Sequence, residues 1–294
     1  MDFIPAKTII SGYSGDNKWF GNNYNMNIYK GCSHGCIYCD SRSECYHVEN
    51  FDNVRAKENA LTLIHRDLKS KRKTGVIGTG AMSDPYNPIE KEYELTRGAL
   101  KLINSFGFGI SIATKSNLVT RDIDILNKIR QHSPTLIKLT ITTCDDVLCK
   151  KIEPNVAVSS QRFSALKQLA ENKIFAGILL MPVLPFIEDN AENISGIIRL
   201  ASENGAKFIY PAFGVTLRQN QRDWYYRKLD EIFPHLKEKY ARQYGNSYEC
   251  HSPSSNELWQ LMKSECERLG MLYKMDDIIR AYKKGYCNDQ LRLF

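Results

Sequence analysis

Tyr29-Lys30-Gly31-Cys32-Ser33-His34-Gly35-Cys36-Ile37-Tyr38-Cys39-Asp40 sets three cysteines on one short loop, with three and then two residues between them. An iron–sulfur cluster needs several thiolates converging on one small inorganic cube, and this spacing supplies three from a single turn. Gly31 and Gly35 relieve the steric limits where such a backbone wraps closely. Three ligands leave one iron open to another molecule. Two other readings of the same loop stand beside this one. A zinc tetrahedron would be completed by His34 or His47. A four-cysteine structural or electron-transfer cluster would use Cys45.

Outward from the loop, the chain alternates between short β-rich runs and longer helical ones. Asn25 to Tyr29 predicts a strand leading into the cysteines. Further strands are predicted at Gly75 to Thr79, Gly109 to Thr114, Leu136 to Thr142, Ala176 to Met181 and Lys207 to Ala212. Helical spacing separates them at Ala56 to Lys71, Ile89 to Ser105, Arg121 to Gln131, Ser160 to Glu171 and Ala191 to Glu203. Six strand–helix units in this order predict an α/β fold with a parallel sheet, either a barrel lacking two units or an open doubly wound sheet. Beyond about Leu217 the alternation stops, and Arg222 to Arg242 and Ser255 to Leu269 predict helices. The expected organisation is an N-terminal extension over 1–22, an α/β domain over 23–216 and a helical C-terminal region over 217–294 ending in a short tail.

Hydrophobic residues make up 43% of the 294, enough for a sizeable core and too many for a disordered chain. No apolar run approaches a membrane span, and Met1-Asp2-Phe3-Ile4-Pro5 lacks the basic-then-apolar pattern of a secretory signal. A cytoplasmic location is therefore expected. Nine cysteines, an odd number, argue against a disulfide framework there. Cys144, Cys149, Cys250, Cys266 and Cys287 match no second cluster spacing and are expected as reduced thiols. The net charge of +7 fits an acidic partner such as nucleic acid, and equally a lysine-rich solvated surface.

The Cys-x3-Cys-x-Tyr-Cys loop at a first strand's end, with βα units behind it, resembles the radical S-adenosylmethionine (SAM) superfamily. The resemblance implies a partial (βα)6 barrel with a helical C-terminal region. It implies that Cys32, Cys36 and Cys39 hold a [4Fe–4S] cluster whose fourth iron is chelated by SAM. It also implies an electron donor such as flavodoxin or ferredoxin, and cleavage of SAM to methionine and a 5′-deoxyadenosyl radical. Tyr38 matches the superfamily position lying near the adenine.

Further matches resemble the spore photoproduct lyase-like branch. Ser83-Asp84-Pro85-Tyr86-Asn87-Pro88-Ile89-Glu90 is similar to its Ser/Thr-Asp-Pro-Tyr-x-Pro-x-Glu signature. Thr114-Lys115-Ser116 resembles a Thr-Lys pair whose lysine contacts SAM, and Thr140 takes the place of a SAM-contacting serine. Ser83, Asp84, Lys115, Ser116 and Thr140 join Tyr38 as candidate cofactor residues. Glu153-Pro154 and Arg162 resemble the branch's Glu-Pro and Arg. One departure matters: Ala81 stands where the lyase has the cysteine that returns a hydrogen atom to the repaired base. The resemblance is thus to the branch and not to the lyase itself.

The chain closes on Gln290-Leu291-Arg292-Leu293-Phe294, four of whose five residues resemble the Gln-Leu-Ser/Asp-Leu-Phe pentapeptide that docks on the sliding DNA clamp. The expected activity is radical chemistry on nucleic acid, in DNA repair or modification. The alternatives are radical modification of a protein or small molecule, and a non-catalytic iron–sulfur module of a repair complex.

Overall fold

The computed structural model describes residues 2–13 and 19–286. Twelve strands are formed: β1 (Asp2–Ile4), β2 (Ile10–Gly12), β3 (Tyr24–Met26), β4 (Tyr29–Lys30), β5 (Arg55–Lys57), β6 (Val76–Thr79), β7 (Gly109–Thr114), β8 (Thr135–Thr140), β9 (Phe175–Leu180), β10 (Ile209–Pro211), β11 (Gly214–Thr216) and β12 (Glu249–His251). The helices are α1 (Ala60–Lys69), α2 (Glu90–Tyr93), α3 (Leu95–Ser105), α4 (Ile123–Arg130), α5 (Asp146–Ile152), α6 (Ser159–Glu171), α7 (Ala191–Glu203), α8 (Gln221–Ile232), α9 (Leu236–Tyr244), α10 (Ser255–Leu269) and α11 (Met275–Lys283).

The main sheet runs β10-β9-β8-β7-β6-β3-β2. Six of its strands are parallel and lie in chain order, as right-handed βα crossovers require. The sheet is open, with β10 and β2 at its edges, which is the partial barrel expected. Alternation along each strand separates two faces. Ile77, Ile110, Ile112, Ile137, Leu139, Ile178 and Leu180 are all fully buried in the core cluster that the helix residues Leu100, Leu126, Leu166 and Ile197 also enter. Each is worth roughly 2 kcal/mol of burial. The opposite, inner face carries Val76, Leu136 and Leu179, packed against Phe20, Phe208 and Tyr282.

Several elements differ from expectation for identifiable reasons. The first predicted strand is two: β3 joins the main sheet, while β4 joins a small sheet ordered β1-β5-β4. The helix predicted over 89–105 breaks at Glu94, whose φ is 48°. There the Glu90 carboxylate accepts the backbone N–H groups of Thr96 (3.0 Å) and Arg97 (3.3 Å), capping α3 in place of a continuing helix. The helix predicted over 222–242 ends at Ile232 and restarts at Leu236, on either side of Pro234. The extension over 1–22 supplies β1 and β2 to the two sheets, and the helical region beyond 217 also contains β12, paired with β11. Among the described residues no helix is long and apolar enough to cross a membrane.

Candidate cofactor site

The cysteine loop leaves β4 at Gly31, where φ is +83° and a Cβ would lie 2.6 Å from the Phe51 carbonyl oxygen. No other residue type fits that turn. The Cys32 amide donates to the same carbonyl at 2.8 Å, and Ser83 Oγ donates to the Gly31 carbonyl at 2.5 Å. Gly35 also has a positive φ, +71°, with Pro154 and Asn155 closing on it. Cys32 and Cys36 are buried and Cys39 is half-buried; all three are free thiols. Burial pushes the Cys32 thiol up to about 11 and the thiols of Cys36 and Cys39 above their ordinary range. A thiol binds a metal only as its thiolate, so an entering cation would displace these protons to solvent.

Asp84 organises the next layer. Its Oδ1 accepts from the Tyr86 amide (2.9 Å) and Thr114 Oγ1 (2.7 Å), and its Oδ2 accepts from the Lys115 amide (2.8 Å). His34 Nδ1 lies 3.6 Å from the same carboxylate, and burial keeps that imidazole below its ordinary pKa. Asp84 thereby ties the ends of β6 and β7 to the cysteine loop. Lys115, so placed, sets its ammonium 5.6 Å from the Tyr38 ring centroid. Burial works against that charge, but Cys36, Glu153 and Asp84 outweigh it and hold the Lys115 pKa above its usual value.

Behind the loop lies a buried ion pair. Arg162 Nη2 meets Glu153 Oε2 at 2.5 Å with both side chains almost wholly inaccessible. The Tyr38 hydroxyl donates to Glu153 Oε1, and Arg162 also donates to the Thr140 carbonyl at 2.8 Å and the Ala157 carbonyl at 2.6 Å. Burial alone would raise the Glu153 carboxyl; Arg162 and Lys115 outweigh it and hold it below the usual range. The arrangement links Tyr38 to Thr140, two candidates 102 positions apart, through one carboxylate and one guanidinium.

The structure thus brings Cys32, Cys36, Cys39, Tyr38, Asp84, Lys115 and Thr140 into one connected neighbourhood. Ser83 and Asp84 spend their polar atoms on the protein frame. Ser116 Oγ caps the short 3-10 helix Asn117–Asp122 by accepting from the Leu118 amide at 3.2 Å. It also lines a cavity of about 340 Å3 with His34, Tyr86, Asn155 and Gln161. Cys45 and His47, alternatives for a fourth ligand, are exposed and line a separate cavity of about 560 Å3 beside Arg218. Among the described residues no group of three or more His, Cys, Asp or Glu side chains converges on one point.

Two further residues support the loop, Gln221 without any sequence signal and Glu90 within the quoted signature. Gln221, fully buried, donates to the Tyr38 carbonyl (2.9 Å) and the Thr216 carbonyl (2.8 Å), fastening the C-terminal region to the cysteine loop. Glu90, the last residue of the Ser-Asp-Pro-Tyr signature, accepts from the Tyr29 hydroxyl and from Arg121 Nη2 at 2.8 Å, so its role is to hold β4 in place.

The residues present fit a cluster held by three thiolates: one loop, three free thiols of which two are buried and one half-buried, two glycines at its tight turns, and one adjacent ammonium. A family model matches residues 26–197, and its description is the radical SAM superfamily. The chain belongs to the radical SAM superfamily. It is an enzyme of that superfamily, whose members use a [4Fe–4S] cluster and SAM. An uncharacterised protein of Mycobacterium tuberculosis is 26% identical over 230 residues, 75% of this chain and 67% of the relative. An uncharacterised protein of Methanocaldococcus jannaschii is 38% identical over 172 residues, 58% of this chain and 63% of the relative. Among solved structures, a spore photoproduct lyase complexed with dinucleoside spore photoproduct superposes with a TM-score of 0.65 at 14% identity, covering 91% of this chain and 79% of that chain. A radical SAM methyltransferase from Kitasatospora setae with tryptophan substrate gives 0.55 at 10% identity, covering 83% and 51%. At these identities the likeness is one of fold.

Of the other cysteines, Cys149, Cys250 and Cys266 are buried and Cys144 half-buried, all free thiols. Cys287 and the residues Gln290, Leu291, Leu293 and Phe294 proposed to dock on a clamp lie outside the described residues.

Proposed function

We propose that Cys32, Cys36 and Cys39 hold the superfamily's [4Fe–4S] cluster and that Tyr38, Ser83, Asp84, Lys115, Ser116 and Thr140 build the SAM pocket over it. The observation that carries this is the single network in which Asp84 fixes Lys115 against the cysteine loop while Glu153 and Arg162 join Tyr38 to Thr140. When bound and reduced, the cluster cleaves SAM and supplies a 5′-deoxyadenosyl radical for hydrogen abstraction. The chain's own work is positional. Lys115 presents a cation where an anionic group of the cofactor can lie, Tyr38 offers its ring beside that ammonium, and Asp84 keeps both loops in register. Ser83 and Ser116 hold the backbone on which these groups stand. The surrounding buried side chains exclude water, which strengthens every charge interaction in the pocket.

The substrate we infer is nucleic acid. The net charge of +7 and the fold shared with a lyase that binds a dinucleoside lesion support it. Ala81 offers no thiol to return a hydrogen atom, so reversal of that particular lesion is not expected. The test is anaerobic: 5′-deoxyadenosine released by the reduced enzyme with SAM should rise several-fold when single-stranded or duplex DNA is added, with no clean repair of spore photoproduct. Equal release with and without any nucleic acid would leave the radical chemistry standing and remove the substrate. The terminal pentapeptide is proposed as a clamp ligand, reaching micromolar affinity at most because ordering a tail offsets its burial. Purified clamp should bind the full chain and not a chain truncated after Asp289; equal binding by both would end that proposal.

A further inference from the structure

Lys138 lies on the inner face of β8, two residues below Thr140 on the same side of the strand. It is 1% exposed. Its Nζ donates to Ser111 Oγ at 2.6 Å and sits 4.7 Å from the centroid of the Phe20 ring. Among the described residues it forms no ion pair with a carboxylate, and burial alone drives its amine down to about 7. A buried ammonium without an acid is among the costliest groups a core can hold.

Two more anomalies share this floor. Asn22 is 4% exposed and its Oδ1 has no hydrogen-bond partner. Its amide occupies the space a Cβ at Gly78 would take, and Gly78 is paired in register with Ser111. Adjacent strands stand about 4.8 Å apart, so the amide lies beside the hydroxyl that holds the lysine. Phe20, whose ring covers the amine, is a non-glycine residue in left-handed conformation (φ 47°, ψ 29°). Strain of that kind persists only where the surroundings impose it. Among the described residues, Tyr210 packs on the Phe20 ring, and Tyr282 and Lys283 reach the backbone beside it. Tyr282 donates to the Phe20 carbonyl at 2.6 Å and Lys283 to the Gly21 carbonyl at 2.5 Å.

We propose that this floor is an anion subsite in which Lys138, with Ser111 and Asn22, holds a phosphate or carboxylate group of the substrate. The anion takes the amine from the Phe20 ring, and the Asn22 amide turns whichever end the oxyanion needs, since the two ends differ little in shape. With its charged end on the floor, the substrate places its remaining atoms toward the Thr140 layer, where we place the cofactor. The site's position relative to the cofactor rests on the function proposed above; its anion chemistry does not. Anion binding draws a proton onto the amine, so affinity falls as pH rises above 7.

Calorimetric titration of the reconstituted chain tests this with two probes that do not titrate between pH 6.5 and 8.5. Inorganic sulfate stands for phosphate groups and acetate for carboxylates. One of them should bind once per chain, about tenfold more weakly at pH 8.5 than at pH 7, with proton uptake, and the better probe identifies the group. Lys138→Met should abolish binding and raise the melting temperature by removing an unpaired buried amine; Ser111→Ala, a milder change, should weaken binding several-fold. No binding of either anion, or binding that Lys138→Met retains, overturns the subsite whether or not DNA stimulates the enzyme. A lower melting temperature for Lys138→Met with anion binding intact would make the lysine a packing residue.

Discussion

At the scale of single residues, the pocket is set by buried charges whose partners decide their state. Glu153 stays ionised because Arg162 and Lys115 face it. Glu188, equally buried, has no cation, and burial followed by the nearby charge of Glu153 pushes its carboxyl well above the ordinary range. Its Oε2 accepts from the Leu184 amide at 3.0 Å, and the Thr142 hydroxyl lies beside the carboxyl. The sign follows directly. A carboxyl whose folded pKa is raised stabilises fully below its unfolded pKa, near 4.3, and that stability is lost as pH rises toward the folded value. Glu188→Gln keeps the acceptor for Leu184 and removes the titration. Denaturant unfolding should show the variant more stable by about 1 kcal/mol or more at pH 8 and unchanged near pH 4, since a tenfold change in proton affinity between the folded and unfolded chain is worth roughly 1.4 kcal/mol. A variant less stable at pH 8 would mean that the carboxyl is ionised and paired. The cysteine loop was legible at this scale, because thiol spacing and glycine placement are local. Glu188 was not, because a single acid after Pro185 carries no pattern until the fold surrounds it.

At the scale of elements, periodicity located the six parallel strands within two or three residues, apart from the first. Its division into β3 and β4 depends on pairing partners more than 20 residues away, at β5 and β6, which local pattern does not contain. The break between α2 and α3 was equally hidden: helix propensity runs through Glu94, and only the Glu90 carboxylate capping Thr96 and Arg97 makes a second start favourable. The same logic fastens the C-terminal region. Gln221, the first residue of α8, satisfies two carbonyls, one of them Tyr38's in the cysteine loop. Gln221→Ala leaves both buried acceptors unpaired, at about 1–3 kcal/mol each. Stability in urea should fall by about 2 kcal/mol or more, and limited proteolysis should cut beyond residue 217 sooner than in the parent. Unchanged cleavage would show that the apolar contacts of Tyr225, Leu229 and Tyr240 hold this region without the hydrogen bonds.

For the whole molecule, the parallel sheet delivers distant residues to one edge. The loops after β6, β7 and β8 bring Asp84, Lys115 and the Glu153–Arg162 pair to a loop that follows β4. This is the carboxyl-end geometry at which parallel α/β sheets bind ligands. The inner face below it sets Gly78, Ser111 and Lys138 among the apolar Val76, Leu136 and Leu179. On the function proposed above, Cys32, Cys36 and Cys39 of one loop hold the cluster. Anaerobic reconstitution of the parent chain and of a variant with Cys32, Cys36 and Cys39 all changed to Ala, followed by iron analysis and assay of 5′-deoxyadenosine from SAM, tests it most directly. The parent should bind about four irons and release 5′-deoxyadenosine on reduction, and the variant should do neither. A variant that retains its iron and still cleaves SAM would contradict the account.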